Sequence, residues 1–165
     1  MTTNYRASSA VTITLASLAS SAGLTVGRCS ASVANGTNKD DFVIPTLRFR
    51  TGGTAPTAGT VLELWCFAQR ADSTWPELFT AAYTGSDAGF TVSSRDVLFS
   101  GAVLCGSYTF DAATGRDVVI RGRELAQVFG AVPQNFAFFV VQSSGQNLDS
   151  TGGNFALTVN PGNYT

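Results

Sequence analysis

The chain has 165 residues, 13% charged and 44% hydrophobic, and its nine Arg, one Lys, eleven acidic residues and no His give a formal net charge of −1. That balance lacks the cationic excess that holds a phosphate backbone or an anionic membrane, so neither nucleic acid nor membrane is expected as a partner. The absence of His also removes histidine-assisted nucleophilic catalysis and zinc sites of the usual mixed type.

The length suits one domain, and the low charge with abundant Gly, Ser, Thr and Asn suits short strands joined by many turns. Weak self-repulsion favours association over a dispersed monomer. Residues 1–10 are mostly polar or small, carry Tyr5 and Arg6, and lack alternation, so they read as an extended N-terminal arm that reaches outward, with residues 11–165 as the folded domain. Residues 1–23, their apolar residues interrupted by Thr and Ser and their one positive charge Arg6, do not read as an export signal. Val11, Ile13 and Leu15 alternate with polar or small residues and predict a first strand, and residues 24–33 a second, stopped at Asn35-Gly36. A third strand, Phe42–Arg50, turns Leu47 and Phe49 one way and Arg48 and Arg50 the other, with Pro45 suggesting an edge or a bulge.

Residues 60–69 form a strand with two apolar faces: Val61, Trp65 and Phe67 share one with Glu63, and Leu62, Leu64, Cys66 and Ala68 take the other. Residues 70–89, broken at Trp75-Pro76, read as a long exposed loop. Strands are expected again at 90–93, 97–105, 107–110 and 117–120. Residues 123–129 alone have helical spacing, with Gly130 as the stop. The densest apolar run, 134–141, predicts an interior strand, and 155–159 a one-faced strand pairing back on it across a Gly- and Ser-rich loop. The sum is an all-β, single-domain antiparallel β-sandwich of jelly-roll type with one short helix.

Cys29, Cys66 and Cys105 are odd in number, far apart and flanked mostly by apolar or small residues, which predicts buried free thiols and a chain folded in a reducing cytosol. Asn38, Asp40 and Asp41 cluster in one loop but lack a calcium-loop pattern, so they read as a solvated turn. No metal, cofactor or catalytic residue is assigned, and the chain is not expected to be an enzyme. A carboxylate-dependent glycosidase would need two of Glu63, Glu77 and Glu124 within about 10 Å across a cleft. Trp75 and Tyr83 could stack on a pyranose if they stood exposed side by side. Arg48, Arg50, Arg121 and Arg123 alternate along strand-like segments and, with Tyr5 and Arg6 of the arm, make the candidate interface, since Arg suits protein interfaces better than Lys.

The segments TGGTAPTAGTVLELW (51–65), SSGQNLDSTGGNFALTV (143–159) and LASLASSAGLTVGR (15–28) resemble parts of tailed-bacteriophage virion structural proteins, particularly β-sandwich capsid decoration or cement proteins. The resemblance implies a protein made in the host bacterial cytoplasm and carried on the capsid surface of the virion. There it would bind the major capsid protein and itself, as a homodimer or homotrimer, and stabilise the shell. The alternative is a phage tail or surface adhesin that binds host glycans through Trp75 and Tyr83.

Overall fold

A computed structural model describes residues 2–37 and 39–165. Two antiparallel sheets face each other. The first, sheet A, is built from β1 (Thr3–Tyr5), β2 (Ser9–Val11), β5 (Phe42–Arg50), β9 (Asp117–Arg121) and β11 (Ala156–Tyr164) in the order β1-β11-β5-β9, with β2 also on β11. Sheet B contains β3 (Val26–Cys29), β4 (Val33–Ala34), β6 (Val61–Ala68), β7 (Ala88–Thr91), β8 (Val103–Thr109) and β10 (Asn135–Gln142) in the order β7-β3-β10-β6-β8, with β4 on the end of β10. Taking β2, β3, β5, β6, β8, β9, β10 and β11 as strands one to eight, the sheets read 1-8-3-6 and 2-7-4-5. This is the jelly-roll arrangement of two interlocked Greek keys.

The strand patterns account for the layers. Between the sheets lie Leu47 and Phe49 of β5, Leu62, Leu64 and Cys66 of β6, Phe136, Phe138 and Val140 of β10, and Leu157 and Val159 of β11. The opposite faces of β6 and β10 are apolar too, and Trp65, Phe67, Ala137, Phe139 and Val141 make a second core with Leu78, Phe79, Tyr83, Val92 and Leu98. The segment 70–89 is exposed on its outer side, as expected, but it also serves as a cover: Leu78 and Tyr83 turn inward and are 2% and 5% exposed. A sheet apolar on both faces needs such a layer, because each fully buried large side chain contributes about 1.5–3 kcal/mol that solvent exposure would forfeit.

Four expectations about the strands are corrected. The strand at 155–159 does not pair with 134–141: β11 lies in sheet A against β5, from Ala156↔Arg48 to Gly162↔Phe42, while both edges of β10 are taken by β6 and by β3 and β4. The connecting loop crosses between the sheets, held by Gln142, whose Nε2 donates to the Leu18 and Gln146 carbonyls at 3.1 and 2.8 Å. The expected strand at 97–105 begins as a helix, α1 (Arg95–Gly101), because the Ser94 hydroxyl accepts from the Val97 N–H and Asp96 sits in the first turn. Only Val103–Thr109 is strand. The first expected strand, 11–15, forms a ladder only in β2, although Val11 and Leu15 are buried as the alternation requires. Pro45 lies in an interior strand, not at an edge: β5 pairs with β9 only from Thr46 onward, and the Pro45 carbonyl accepts from Gly122 N just past the ladder's end, where no donor is needed.

Residues 24–33 split into β3 and β4 around Ser30, whose hydroxyl accepts from Phe138 N. The expected short helix is α2 (Leu125–Phe129), closed by Gly130 at φ 81°. The arm does not project outward: its residues Thr3–Tyr5 lie on the chain's own β11, where they satisfy an edge that would otherwise present unpaired backbone groups. No helix among the described residues is long and apolar enough to cross a membrane.

Candidate functional site

The two outer faces of the sandwich differ in kind. That of sheet B is covered by the segments 70–87 and 92–102, on either side of β7, and that of sheet A stays open over its middle. Strand alternation sends Leu47, Phe49, Val118, Ile120, Leu157 and Val159 inward, which leaves Thr46, Arg48 and Arg50 of β5, Asp117, Val119 and Arg121 of β9, and Ala156, Thr158 and Asn160 of β11 facing out. The register sets these in rows. Ala156, Arg48 and Val119 lie abreast, Thr158, Thr46 and Arg121 make the next row, and Arg50 stands opposite Asp117.

Val119 is 64% exposed and stands directly opposite Arg48. Arg48 and Arg121 are diagonal neighbours on adjacent strands, on the order of 7–8 Å apart at the backbone. Neither forms an ion pair among the described residues, and Arg48 only donates to the Gly153 carbonyl at 2.8 Å. Arg50 is partly neutralised by Asp117 at 3.4 Å. The patch is built on three paired strands, with an apolar centre flanked by guanidinium groups that carry unused donors. Such a surface can bind planar carboxylates in bidentate fashion.

The structure thus brings together three of the expected arginines. Arg123 lies past the end of β9, where its backbone N–H donates to the Cys105 carbonyl of sheet B, and it does not join the rows. Tyr5 and Arg6 sit at the far end of sheet A. Arg6 is committed to Asp40 at 3.0 Å, with the Asp40 side chain 6% exposed. Tyr5 lies edge-on to Phe42 at 5.3 Å, and Tyr164 flanks the same ring at 5.2 Å. Phe42, Tyr164 and Val119 were missed in the sequence, although each sits at an outward position of its strand and parity alone would have marked them.

The glycan-contact pair is not presented as expected. Trp75 and Tyr83 are adjacent, 4.9 Å apart and edge to face, but Tyr83 is buried and its hydroxyl donates to the Ser30 carbonyl at 2.6 Å. Trp75 borders an open depression of about 530 Å3 with Pro76, Glu77, Thr80 and Ser93, but Tyr83 is only 5% exposed, so no two-ring platform forms. The three glutamates are also separated by role. Glu63 accepts from Arg95 at 2.7 and 3.0 Å and from Trp65 Nε1 at 2.8 Å. Glu77 lies in the covering segment, and Glu124 stands immediately before α2, where its carboxylate accepts from Gln127 Nε2 at 3.1 Å. In the acidic loop, Asp40 holds Arg6, Asp41 accepts from Tyr164 N, and Asn38 lies outside the described residues.

Cys29, Cys66 and Cys105 are free and buried. Burial pushes the Cys29 and Cys66 thiols up, and for Cys66 the neighbouring Cys105 adds to the effect. Neither has the lowered pKa of a nucleophilic thiol. Compared with known proteins, the chain matches no protein family and no curated sequence.

Proposed function

We propose that this chain is a non-enzymatic structural protein that attaches to a larger assembly through the open face of sheet A. On the resemblance of segments 15–28, 51–65 and 143–159 to phage virion proteins, the assembly is the shell of a tailed phage, and the chain acts as a capsid decoration protein on the major capsid protein. The observation that carries the reading is the asymmetry of the sandwich: one outer face is covered by the segments 70–87 and 92–102, while the other leaves Val119 beside Arg48 and Arg121, which form no ion pair among the described residues. An exposed apolar residue flanked by Arg on paired strands has the make-up of an interface centre, and its charge selects a partner surface rich in Asp and Glu.

Quantitative mass spectrometry of virions containing the chain tests this. Decoration predicts a copy number in the hundreds, stoichiometric with shell positions. A few copies to some dozens would place the chain in a tail or fibre and overturn the decoration reading.

A further inference from the structure

The N-terminal strand sits in a cleft shaped to receive it. Thr3, Asn4 and Tyr5 pair with Tyr164, Asn163 and Gly162, and Thr2 and Thr165 exchange backbone hydrogen bonds at 2.7 and 2.9 Å. Gly162 makes the fit possible. A Cβ at that position would come closer than 3.0 Å to both the Phe42 ring and the Asn4 carbonyl oxygen. Phe42 points outward from sheet A yet is only 2% exposed, with Tyr5 and Tyr164 as its aromatic neighbours.

What binds the strand is modest. Residues 2–10 are all exposed, and their anchors are the edge ladder, the Tyr5 ring on Phe42 and the Arg6–Asp40 pair. None of these residues enters either core; the first that does is Val11, in β2. A strand held this way opens at a much smaller free-energy cost than β5 or β10. Once open, the cleft presents the β11 edge and the Phe42 ring. The ligand of demonstrated register for that surface is the same strand, carried by every other copy.

We propose that the cleft formed by β11, Phe42 and Gly162 is an acceptor for the N-terminal strand of a second copy of this chain, so that crowded copies exchange residues 2–8 and become linked. The linker between β1 and β2 is Arg6–Ser8, three residues spanning about 10 Å, so donor and acceptor edges must lie side by side, as across a two-fold axis. In dilute solution the chain's own strand wins, because its tether gives an effective concentration on the order of millimolar. Copies fixed next to one another on a surface reach that concentration. The inference is independent of what the Arg48 and Arg121 face binds.

Two full-length chains test it, one carrying Asn4→Cys and the other, isotope-labelled, Asn163→Cys. Alternation from the Thr2–Thr165 pair makes Asn4 and Asn163 a hydrogen-bonded pair, with Cα atoms about 5.5 Å apart, within disulfide range. The chains are mixed at about 1 mM, equilibrated, oxidised and read by mass spectrometry. The 4–163 heterodimer is expected at least tenfold above the 4–4 and 163–163 dimers, and Tyr5→Ala in the donor should lower it. A 4–163 yield no higher than the symmetric dimers overturns the exchange. Failure of the double variant to close 4–163 within one dilute chain overturns the register on which it stands.

Discussion

Replacing Arg95 with Met removes the guanidinium from a carboxylate that has little other solvation. Glu63 points into the layer outside sheet B, with its side chain 11% exposed, and both its oxygens are bonded by Arg95, whose own side chain is 25% exposed. Breaking a fully buried ion pair on one side costs about 3–5 kcal/mol, because the remaining charge is left uncompensated. Two features lower that figure here. Water reaches part of the Arg95 side, and Trp65 Nε1 continues to donate to Glu63 at 2.8 Å. One raises it: the guanidinium also lies 5.3 Å from the Trp65 ring and 5.0 Å from that of Phe99, each contact contributing about 0.5–1 kcal/mol. The expected loss for Arg95→Met is about 3 kcal/mol, read from urea unfolding with the slope unchanged. In a Glu63→Gln background, where no charge is stranded, the same change should cost about 1–2 kcal/mol less. A loss below about 1 kcal/mol, or equal losses in the two backgrounds, would refute the assignment of Glu63 and Arg95 as a coupled buried pair.

Two other outcomes follow from the same reasoning. Burial of Asp87 works against its charge, but hydrogen bonds from Arg28 and Thr14, both at 2.6 Å, outweigh it and hold the carboxyl below the usual aspartate range. That stabilisation is complete above the unfolded value of about 3.9 and is lost as pH falls through the lower folded value, so the stability gap between wild type and Asp87→Asn should be present at pH 6 and shrink below pH 4; a gap constant with pH would contradict it. Thiol titration in denaturant without reductant should count three per chain, with native protein reacting far more slowly because burial raises the Cys29 and Cys66 thiols; a count of one would mean a disulfide.

The strands that were legible in the sequence are those whose pattern states its own burial. Phe136 to Val141 is apolar on both faces and could only be interior, and Phe42–Arg50 separates Leu47 and Phe49 from Arg48 and Arg50 without ambiguity. Alternation in residues 155–159 declares one buried face but does not say which sheet owns it, so the partner of β11 was misread. The covering role of residues 70–89 was implied by a pattern elsewhere: two strands apolar on both sides require a cover, and Leu78, Phe79 and Tyr83 provide it. The run VLF at 97–99 looks extended until the Ser94 cap is weighed, and Leu98 is then the side chain its helix buries. At the site, the alternation of Arg48 with Arg50 placed them correctly, and extending the β9 pattern inward from Ile120 would have exposed Val119. The fold-back of the arm depends on Phe42 and Gly162, which lie far from it in sequence, and local pattern carries no trace of that pairing.

The proposal that the open face of sheet A is the attachment surface is tested most directly by co-sedimentation with undecorated shells of the tailed phage whose virions, under that proposal, carry the chain. The comparison is between wild type and the double variant Arg48→Glu, Arg121→Glu, each first shown to keep its far-ultraviolet β signature and melting temperature. Both arginines are exposed and make no ion pair among the described residues, so the fold should tolerate the change while the charge presented to an acidic partner reverses. The account predicts binding weakened at least tenfold, and binding to the shells as tight as wild type would contradict it.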